Sequence, residues 1–380
     1  MRFLFIAGGG AAPVHAGAPL ASAARTAGHD VIVAAPDENI ELINGLGLPA
    51  RGVTELGMGE AMLKDRQGNW LSMPSTEDEE MDFAGRGFAR LSAAAYRATE
   101  ELAEAWKPDV VIGGEYNHAA PLIAHRFGIP HVRHTWAIYD RTEVDWQGAT
   151  DELEQELSRF GLTEIPGSDL FVDITPPSLR PEGAEAAQAM RWTPGNPQLP
   201  LQPWMYAKGD RPRVLITSGS RSVFVPTLGI DFFRPLLSNS LLASGDVEVV
   251  VATSEPVAAQ LRAEFPDIKA GFLPLDVVAG TADLAVHHGG GVTVMTLLNA
   301  GVPQLVLPEI LASAIPMRRV DAQGASITLD SHTEPVETVA TAAAKILSDS
   351  SYRDNARGLA GEIAGLPAPA EIVKMIEKLV

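Results

Sequence analysis

The chain has 380 residues, of which 46% are hydrophobic and 20% charged, as expected for a soluble globular protein long enough for two domains. It carries 29 Lys and Arg against 48 Asp and Glu, and the net charge of −19 argues against nucleic acid or an anionic membrane as the main partner. The absence of cysteine excludes disulfides, a thiolate nucleophile and a Cys-based zinc site. No apolar run approaches the ~18 residues of a membrane span, so we expect a cytoplasmic protein.

The first 35 residues predict a right-handed βαβ unit. Arg2–Ala7 is an apolar strand, Gly8–Gly10 a turn, and a helix that ends at Gly28 leads into the strand His29–Ala35. The turn lacks the G-x-G-x-x-G spacing of dinucleotide-binding folds, which argues against an NAD site.

The same plan returns near residue 213. The strand Arg213–Thr217 is followed by the loop Ser218–Arg221 and by a further strand at 245–252, so the sequence predicts a second Rossmann-like domain. Thr193–Pro203 is crowded with Pro and Gly and is typical of an interdomain linker. The predicted organisation is an N-terminal domain at 1–192, a linker at 193–210, a C-terminal domain at 211–366 and a final helical segment at 367–380.

Residues 51–83 interrupt the strand and helix alternation. This segment, which contains Trp70, is either a functional excursion over a cleft or an ordinary surface excursion with some packed apolar residues. The acidic run Glu77–Glu80 is interpreted as a solvated face without chemistry. A helix at Phe88–Trp106 follows.

Two polar segments come directly after predicted strands of the N-terminal domain. Gly114–His118 follows the strand Asp109–Gly113, and His131–Trp136 is in a similar position. Open α/β sheets bind ligands at the carboxyl ends of their strands, so both segments are candidates for ligand contact.

The most informative stretch is Asp283–Pro303. Leu284–Val286 predicts a buried strand that ends at two histidines, and three glycines then form a turn that opens a helix at Thr293–Asn299. The unpaired N–H groups at the helix start, the positive end of its dipole and the imidazole of His288 together predict a diphosphate site. His287 is interpreted as a packed residue under the turn.

The run His288-Gly-Gly-Gly-Val-Thr293, followed in register by Gly301-Val-Pro303, resembles the donor-binding signature of family 1 glycosyltransferases with the GT-B fold. The resemblance implies an α/β protein whose two Rossmann-like domains face a central cleft, with the final helix crossing back to the N-terminal domain. It implies an inverting, metal-independent enzyme that needs no cofactor and uses a nucleotide-diphosphate sugar as co-substrate. No Asp-x-Asp or His-Glu-x-x-His motif predicts a metal site.

The resemblance also assigns the donor site. The predicted diphosphate contacts are His288, Gly289, Gly290, Gly291, Val292 and Thr293, joined by Ser218, Ser220 and Arg221 from the first loop of the same domain. Phe272, Pro274 and Leu275 match the family segment that packs on the nucleobase. Ala312-Ser313 replaces the Asp-Gln pair that holds sugar hydroxyls in many members, so we expect a deoxysugar on thymidine diphosphate (dTDP).

The N-terminal domain is expected to bind the acceptor. The segments Pro176–Pro181, Pro203–Tyr206 and Thr217–Arg221 resemble a subgroup that glycosylates angucycline- and tetracycline-like aromatic polyketides in antibiotic biosynthesis, some members forming C–C bonds. Trp136, Tyr139, His118 and Trp70 are the predicted acceptor contacts. Whether oxygen or carbon attacks stays open, as do a different hydrophobic aglycone, a nucleotide-sugar epimerase, an inactive helper protein and a non-enzymatic nucleotide-binding module. A homodimer is also left open.

A general base is needed because a phenol attacks well only after losing its proton. Pro13 stands where related O-glycosyltransferases carry a histidine, and Ala137 stands where the subgroup carries an aspartate. The candidates are Asp140, which the sequence favours, together with His15, Glu115, His118 and His134.

Overall fold

The computed structural model describes residues 1–140, 142–197, 199–219, 228–331 and 333–380. They form two compact units, each built on a parallel sheet. The first unit comprises Met1–Thr175, Arg180–Pro197 and Leu366–Val380, and the second comprises Pro176–Leu179 and Gln198–Gly365. The predicted linker at 193–210 is therefore divided between the two units, and the C-terminal segment belongs to the first.

The sheet of the first unit has seven parallel strands in the order β3-β2-β1-β4-β5-β6-β7. Its strands are β1 Arg2–Ile6, β2 Asp30–Pro36, β3 Ala50–Thr54, β4 Val110–Gly114, β5 His131–His134, β6 Leu170–Asp173 and β7 Gln188–Ala189. Phe3, Leu4, Phe5 and Ile6 are all buried, because helices cover both faces of a parallel sheet.

The helices of the first unit are α1 Ala11–Thr26, α2 Ile40–Gly45, α3 Met58–Leu63, α4 Glu77–Trp106, α5 Ala119–Phe127, α6 Glu143–Glu152, α7 Glu154–Arg159 and, from the end of the chain, α16 Pro369–Ile376. The last of these packs against α1. Helix α4 begins eleven residues before the predicted Phe88, because Thr76 and Glu79 form a capping box that starts it. The acidic run is thus the first turn of this helix, where its charge suits the dipole.

The second unit repeats the plan with six parallel strands in the order β10-β9-β8-β11-β12-β13. They are β8 Arg213–Thr217, β9 Glu248–Ala252, β10 Lys269–Gly271, β11 Leu284–His287, β12 Gln304–Val306 and β13 Ser326–Thr328. Both sheets follow the doubly wound order 3-2-1-4-5-6, in which loops at the carboxyl ends of the strands form ligand sites.

The helices of the second unit are α8 Pro203–Tyr206, α9 Ile230–Leu237, α10 Glu255–Glu264, α11 Leu275–Ala279, α12 Gly291–Asn299, α13 Leu311–Ala322, α14 Val336–Ser348 and α15 Ser350–Ala364. One apolar cluster of this unit centres on Val214, Ile216 and Val286 from its inner strands. Within the described residues, no helix combines the length and apolar character needed to cross a membrane.

Candidate active site

The glycine turn, residues 288–291, links β11 to α12. Helix α12 begins at Gly291, two residues earlier than predicted, and Gly290 is its N-cap. Gly291, Val292 and Thr293 therefore form its first turn, where amide hydrogens have no intrahelical partner. No side chain caps this helix start. These amides and the positive end of the dipole suit an anion.

His287 is a structural residue under the glycine turn. Its Nε2 lies 2.8 Å from Gln304 Oε1, and its Nδ1 accepts a hydrogen bond of 3.1 Å from the Gly289 amide. Burial lowers the pKa of His287 to about 4, so the ring is neutral at neutral pH. These bonds hold the turn and require the tautomer with hydrogen on Nε2.

His288 is buried between two other glycines. A Cβ on Gly290 would lie 2.6 Å from His288 Nε2, and a Cβ on Gly219 would lie 2.5 Å from His288 Cε1. Gly219 also needs its positive φ of 66° for the loop that follows β8. Gly219 and Gly290 thus make space for the imidazole, and the predicted contact of Gly290 with the diphosphate stays a prediction.

The loop after β8 lies beside the glycine turn because β8 and β11 are neighbours, with Thr217 paired to His287. Ser218 is fully buried, and its hydroxyl has no hydrogen-bond partner among the described residues. The other two predicted contacts from this loop, Ser220 and Arg221, lie outside the described residues.

The predicted nucleobase segment follows the edge strand β10. Phe272 is 56% exposed, unusual for a large aromatic side chain, and is therefore available for stacking. Pro274 is buried at the start of α11, and Leu275 is half-buried. Both this segment and the glycine turn lie at the carboxyl ends of strands in one sheet.

Three half-buried aromatic rings form what we term the aromatic platform of the first unit: Phe88, Tyr116 and Trp136. Phe88 stacks on Tyr116 with ring centroids 5.0 Å apart, and Trp136 meets Phe88 edge-on at 5.3 Å. The Tyr116 hydroxyl donates a 2.8 Å hydrogen bond to the buried Asp145. Burial, followed by the charge of Asp145, raises the pKa of Tyr116 well above its usual value, so the hydroxyl stays protonated. Trp136 is one of the predicted acceptor contacts, whereas Phe88 and Tyr116 were not among them.

Two other predicted acceptor contacts, Tyr139 and Trp70, are not part of the aromatic platform. Tyr139 is buried with its ring against Phe171 at 5.5 Å, and its role as an acceptor contact stays a prediction. Trp70 is 73% exposed and lies next to Lys64 on a short bridged turn. Arg66 anchors this turn through Glu152 and Glu156.

His118 and Glu115 line a polar cavity of about 160 Å³ together with His131 and Arg133. Both His118 and Glu115 are at least 95% buried. The charge of Glu115 nevertheless raises the pKa of Tyr116, and does so more than the charge of Asp140, so Glu115 also lies near the aromatic platform. His134 is also buried, and burial lowers its pKa to about 4.

The other two base candidates are more exposed to solvent than these. Asp140 is half-buried, and its charge contributes to the raised pKa of Tyr116, which places it near the platform. His15 is half-buried in the first turns of α1, and its Nδ1 lies 2.6 Å from the carbonyl oxygen of Gly195. No group of three or more His, Asp and Glu side chains within the described ranges could hold a metal ion, and metal independence stays a prediction.

The chain has two parallel sheets of Rossmann order, and in the second unit a histidine and a glycine turn precede a helix. These features place it in the class of GT-B glycosyltransferases. Two family models match the chain, described as "Erythromycin biosynthesis protein CIII-like, N-terminal domain" over residues 85–219 and "C-terminal domain" over residues 237–379. The chain belongs to this family of glycosyltransferases.

Three relatives illustrate the similarity. The chain is 31% identical to L-demethylnoviosyl transferase of Streptomyces niveus, over 94% of this chain and 92% of that protein. It is 27% identical to Aclacinomycin-T 2-deoxy-L-fucose transferase of Streptomyces galilaeus, over 100% and 96%. The crystal structure of Streptomyces sp. SF2575 glycosyltransferase SsfS6 complexed with thymidine diphosphate is 35% identical, over 100% of this chain and 99% of that chain, with a TM-score of 0.84.

Proposed function

We propose that this glycosyltransferase moves a deoxysugar from a dTDP-sugar to an aromatic polyketide, with inversion at the anomeric carbon. The observation that carries the proposal is the uncapped start of α12 beside the buried His288. A relative binds thymidine diphosphate, and another is described as a 2-deoxy-L-fucose transferase. These relatives support a dTDP-deoxysugar as donor.

In the proposed reaction the bond between the anomeric carbon and the diphosphate breaks, and negative charge grows on the departing dTDP. Fixed donors at that position stabilise the transition state, as an oxyanion hole does. The amides of Gly291, Val292 and Thr293, the Ser218 hydroxyl and His288 are the groups assigned to this task. Phe272 is assigned to stack on thymine. No resident cofactor is needed.

The surroundings of Gly289 support a sugar with few hydroxyl groups. Ser313 lies against the glycine turn, since its Cβ would be 3.3 Å from a Cβ on Gly289. The Ser313 hydroxyl donates to the Ile310 carbonyl at 2.7 Å. Ala312 beside it has no hydroxyl or carboxylate. Ala312 and Ser313 therefore offer few hydrogen-bonding groups to a hexose with many hydroxyls.

The aromatic platform supports a planar acceptor. Phe88, Tyr116 and Trp136 present ring faces and edges, to which a polycyclic aromatic molecule can stack. The Tyr116 hydroxyl is committed to Asp145, so the platform offers apolar surface more than hydrogen bonds.

We assign the proton-accepting role to His15, with Asp140 as the alternative. A phenol has a pKa near that of tyrosine, about 10, and an imidazole is closer to it than a carboxylate is. The difference in pKa between the phenol and its base is therefore larger for a carboxylate, which makes proton transfer to a carboxylate less favourable. The contact of His15 Nδ1 with the Gly195 carbonyl oxygen also fixes its tautomer.

The donor assignment is tested by calorimetry of dTDP binding. We expect His288→Ala to weaken dTDP about 10- to 100-fold, the equivalent of one charge-assisted hydrogen bond, and to abolish most transfer. His125→Ala, an exposed histidine on α5, is the matched control and should leave both unchanged. Unchanged dTDP affinity in His288→Ala would show that the donor lies elsewhere.

The reaction itself is tested by mass spectrometry of products from dTDP-deoxysugars and a panel of phenolic polyketides. Acid treatment then separates O-glycosides, which are cleaved, from C-glycosides, which resist. Conversion of the donor alone into an isomeric sugar nucleotide would instead support an epimerase.

A further inference from the structure

The His15 ring contacts a segment 180 residues away in the sequence. Its Nδ1 lies 2.6 Å from the Gly195 carbonyl oxygen. A carbonyl oxygen only accepts hydrogen bonds, so Nδ1 must carry the hydrogen. In the neutral ring the lone pair is then on Nε2.

Gly195 packs directly on α1. A Cβ at this position would overlap the His15 carbonyl oxygen and would lie 3.2 Å from Pro19 Cδ. The φ angle of Gly195 lies outside the left-handed region, so φ does not by itself require glycine here. Glycine is required here for close contact with the helix, and that contact brings the carbonyl within reach of His15.

His15 is neutral near pH 7. Burial lowers its pKa below the usual 6.5, and the hydrogen bond to Gly195 offsets part of that effect. Neither α1 nor the segment around Gly195 places a charged side chain of the described residues close enough to shift it.

We infer that the Gly195 backbone carbonyl is the positioning group of the catalytic base, a role that rests on the proposed function. The acceptor hydroxyl gives its proton to His15 Nε2, its oxygen bonds to the anomeric carbon, and dTDP leaves with the electron pair of the broken bond. The imidazolium keeps its Nδ1–H bond to Gly195, which stabilises the positive charge. The carbonyl takes the part that a carboxylate plays behind the histidine of a Ser-His-Asp triad.

The tautomer is measured directly by nitrogen NMR of protein labelled with ¹⁵N-histidine, with the His15 signals assigned by their loss in His15→Asn. We expect hydrogen on Nδ1 and none on Nε2 at pH 7.5. A His15 ring with hydrogen on Nε2 overturns the inference, and it does so without any activity measurement.

The kinetic test compares three variants in transfer to a phenolic acceptor. Gly195→Ala should lower kcat at least 10-fold with little change in KM for the donor, and should return His15 to a mixture of tautomers. Gly209→Ala, a coil glycine where a Cβ meets nothing within 4 Å, is the matched control and should keep the wild-type rate. His15→Asn keeps a donor toward Gly195 but has no base, so kcat should fall about 10²-fold or more.

The pH profile separates positioning from simple structural damage. Wild-type kcat/KM should fall below the pKa of His15, and His15→Asn should lose that limb while retaining its thermal melting temperature. If Asp140→Asn loses the limb and His15→Asn keeps it, the inference is wrong although transfer stands. If the wild type transfers no sugar, the proposed function fails, and the NMR result still decides whether Gly195 sets the tautomer.

Discussion

Replacing Gly290 by alanine tests how His288 is held. Gly290 has φ −61° and ψ 129°, which any residue adopts, so the methyl group brings no backbone strain. Its Cβ would lie 2.6 Å from His288 Nε2, whereas ordinary contacts begin at 3.4 Å. The ring must therefore retreat by about 0.8 Å, which is 3.4 minus 2.6. Misplacement of about 1 Å costs roughly 10²-fold in rate, so kcat/KM should fall about 10- to 100-fold.

The double variant makes this prediction specific. In Gly290→Ala/His288→Ala the clash is gone, so the double variant should be no worse than His288→Ala alone, giving a coupling of about 1.4–2.7 kcal/mol. The assays are dTDP calorimetry and steady-state transfer, with Gly209→Ala as control. Additive losses, or Gly290→Ala with wild-type affinity and rate, would refute the idea that this glycine serves the histidine.

Two further predictions concern the support beneath the site. Gln304→Leu leaves the buried Nε2–H of His287 without its acceptor and should lower the free energy of unfolding by about 1–3 kcal/mol in urea titrations, and an unchanged midpoint would contradict it. The pKa of His287 is lowered to about 4, so the unfolded chain binds more protons than the folded one between about pH 6.5 and 4. As the pH is lowered from 7 to 5, the titration of His287 should reduce the free energy of unfolding by about 2 kcal/mol. In His287→Asn the free energy of unfolding should depend less on pH over this range.

The sequence predicted the two Rossmann-like units because their strands are unbroken apolar runs that end in glycine turns. Leu284–Val286 is such a run, and in the structure it forms most of the buried strand β11. Helix starts were predicted less well. The capping box at Thr76 and the N-cap at Gly290 both start helices earlier than apolar periodicity indicated, because caps use polar and glycine residues that carry no periodic signal.

Long-range contacts could not be derived from the sequence. Phe88 lies on α4 and Tyr116 on the loop before α5, and the packing of α4 against α5 helps bring the two rings together. Tyr139 follows Trp136 closely in sequence, yet its ring packs against Phe171 in the interior. The burial of Tyr139, three residues after the half-buried Trp136, could therefore not be derived from the sequence.

His288 and His15, the two histidines with proposed roles in the reaction, are both positioned by glycines. His288 occupies space left by Gly219 and Gly290, and His15 receives its hydrogen bond from Gly195 because that residue can press against α1. In each case the lack of a side chain on a glycine lets the imidazole take its position. Substitution of such a glycine should therefore reproduce the kinetic defect of losing its histidine, and a glycine whose Cβ meets open space, such as Gly209, should not. Interpreting every glycine near a phosphate site as room for the ligand would miss this distinction.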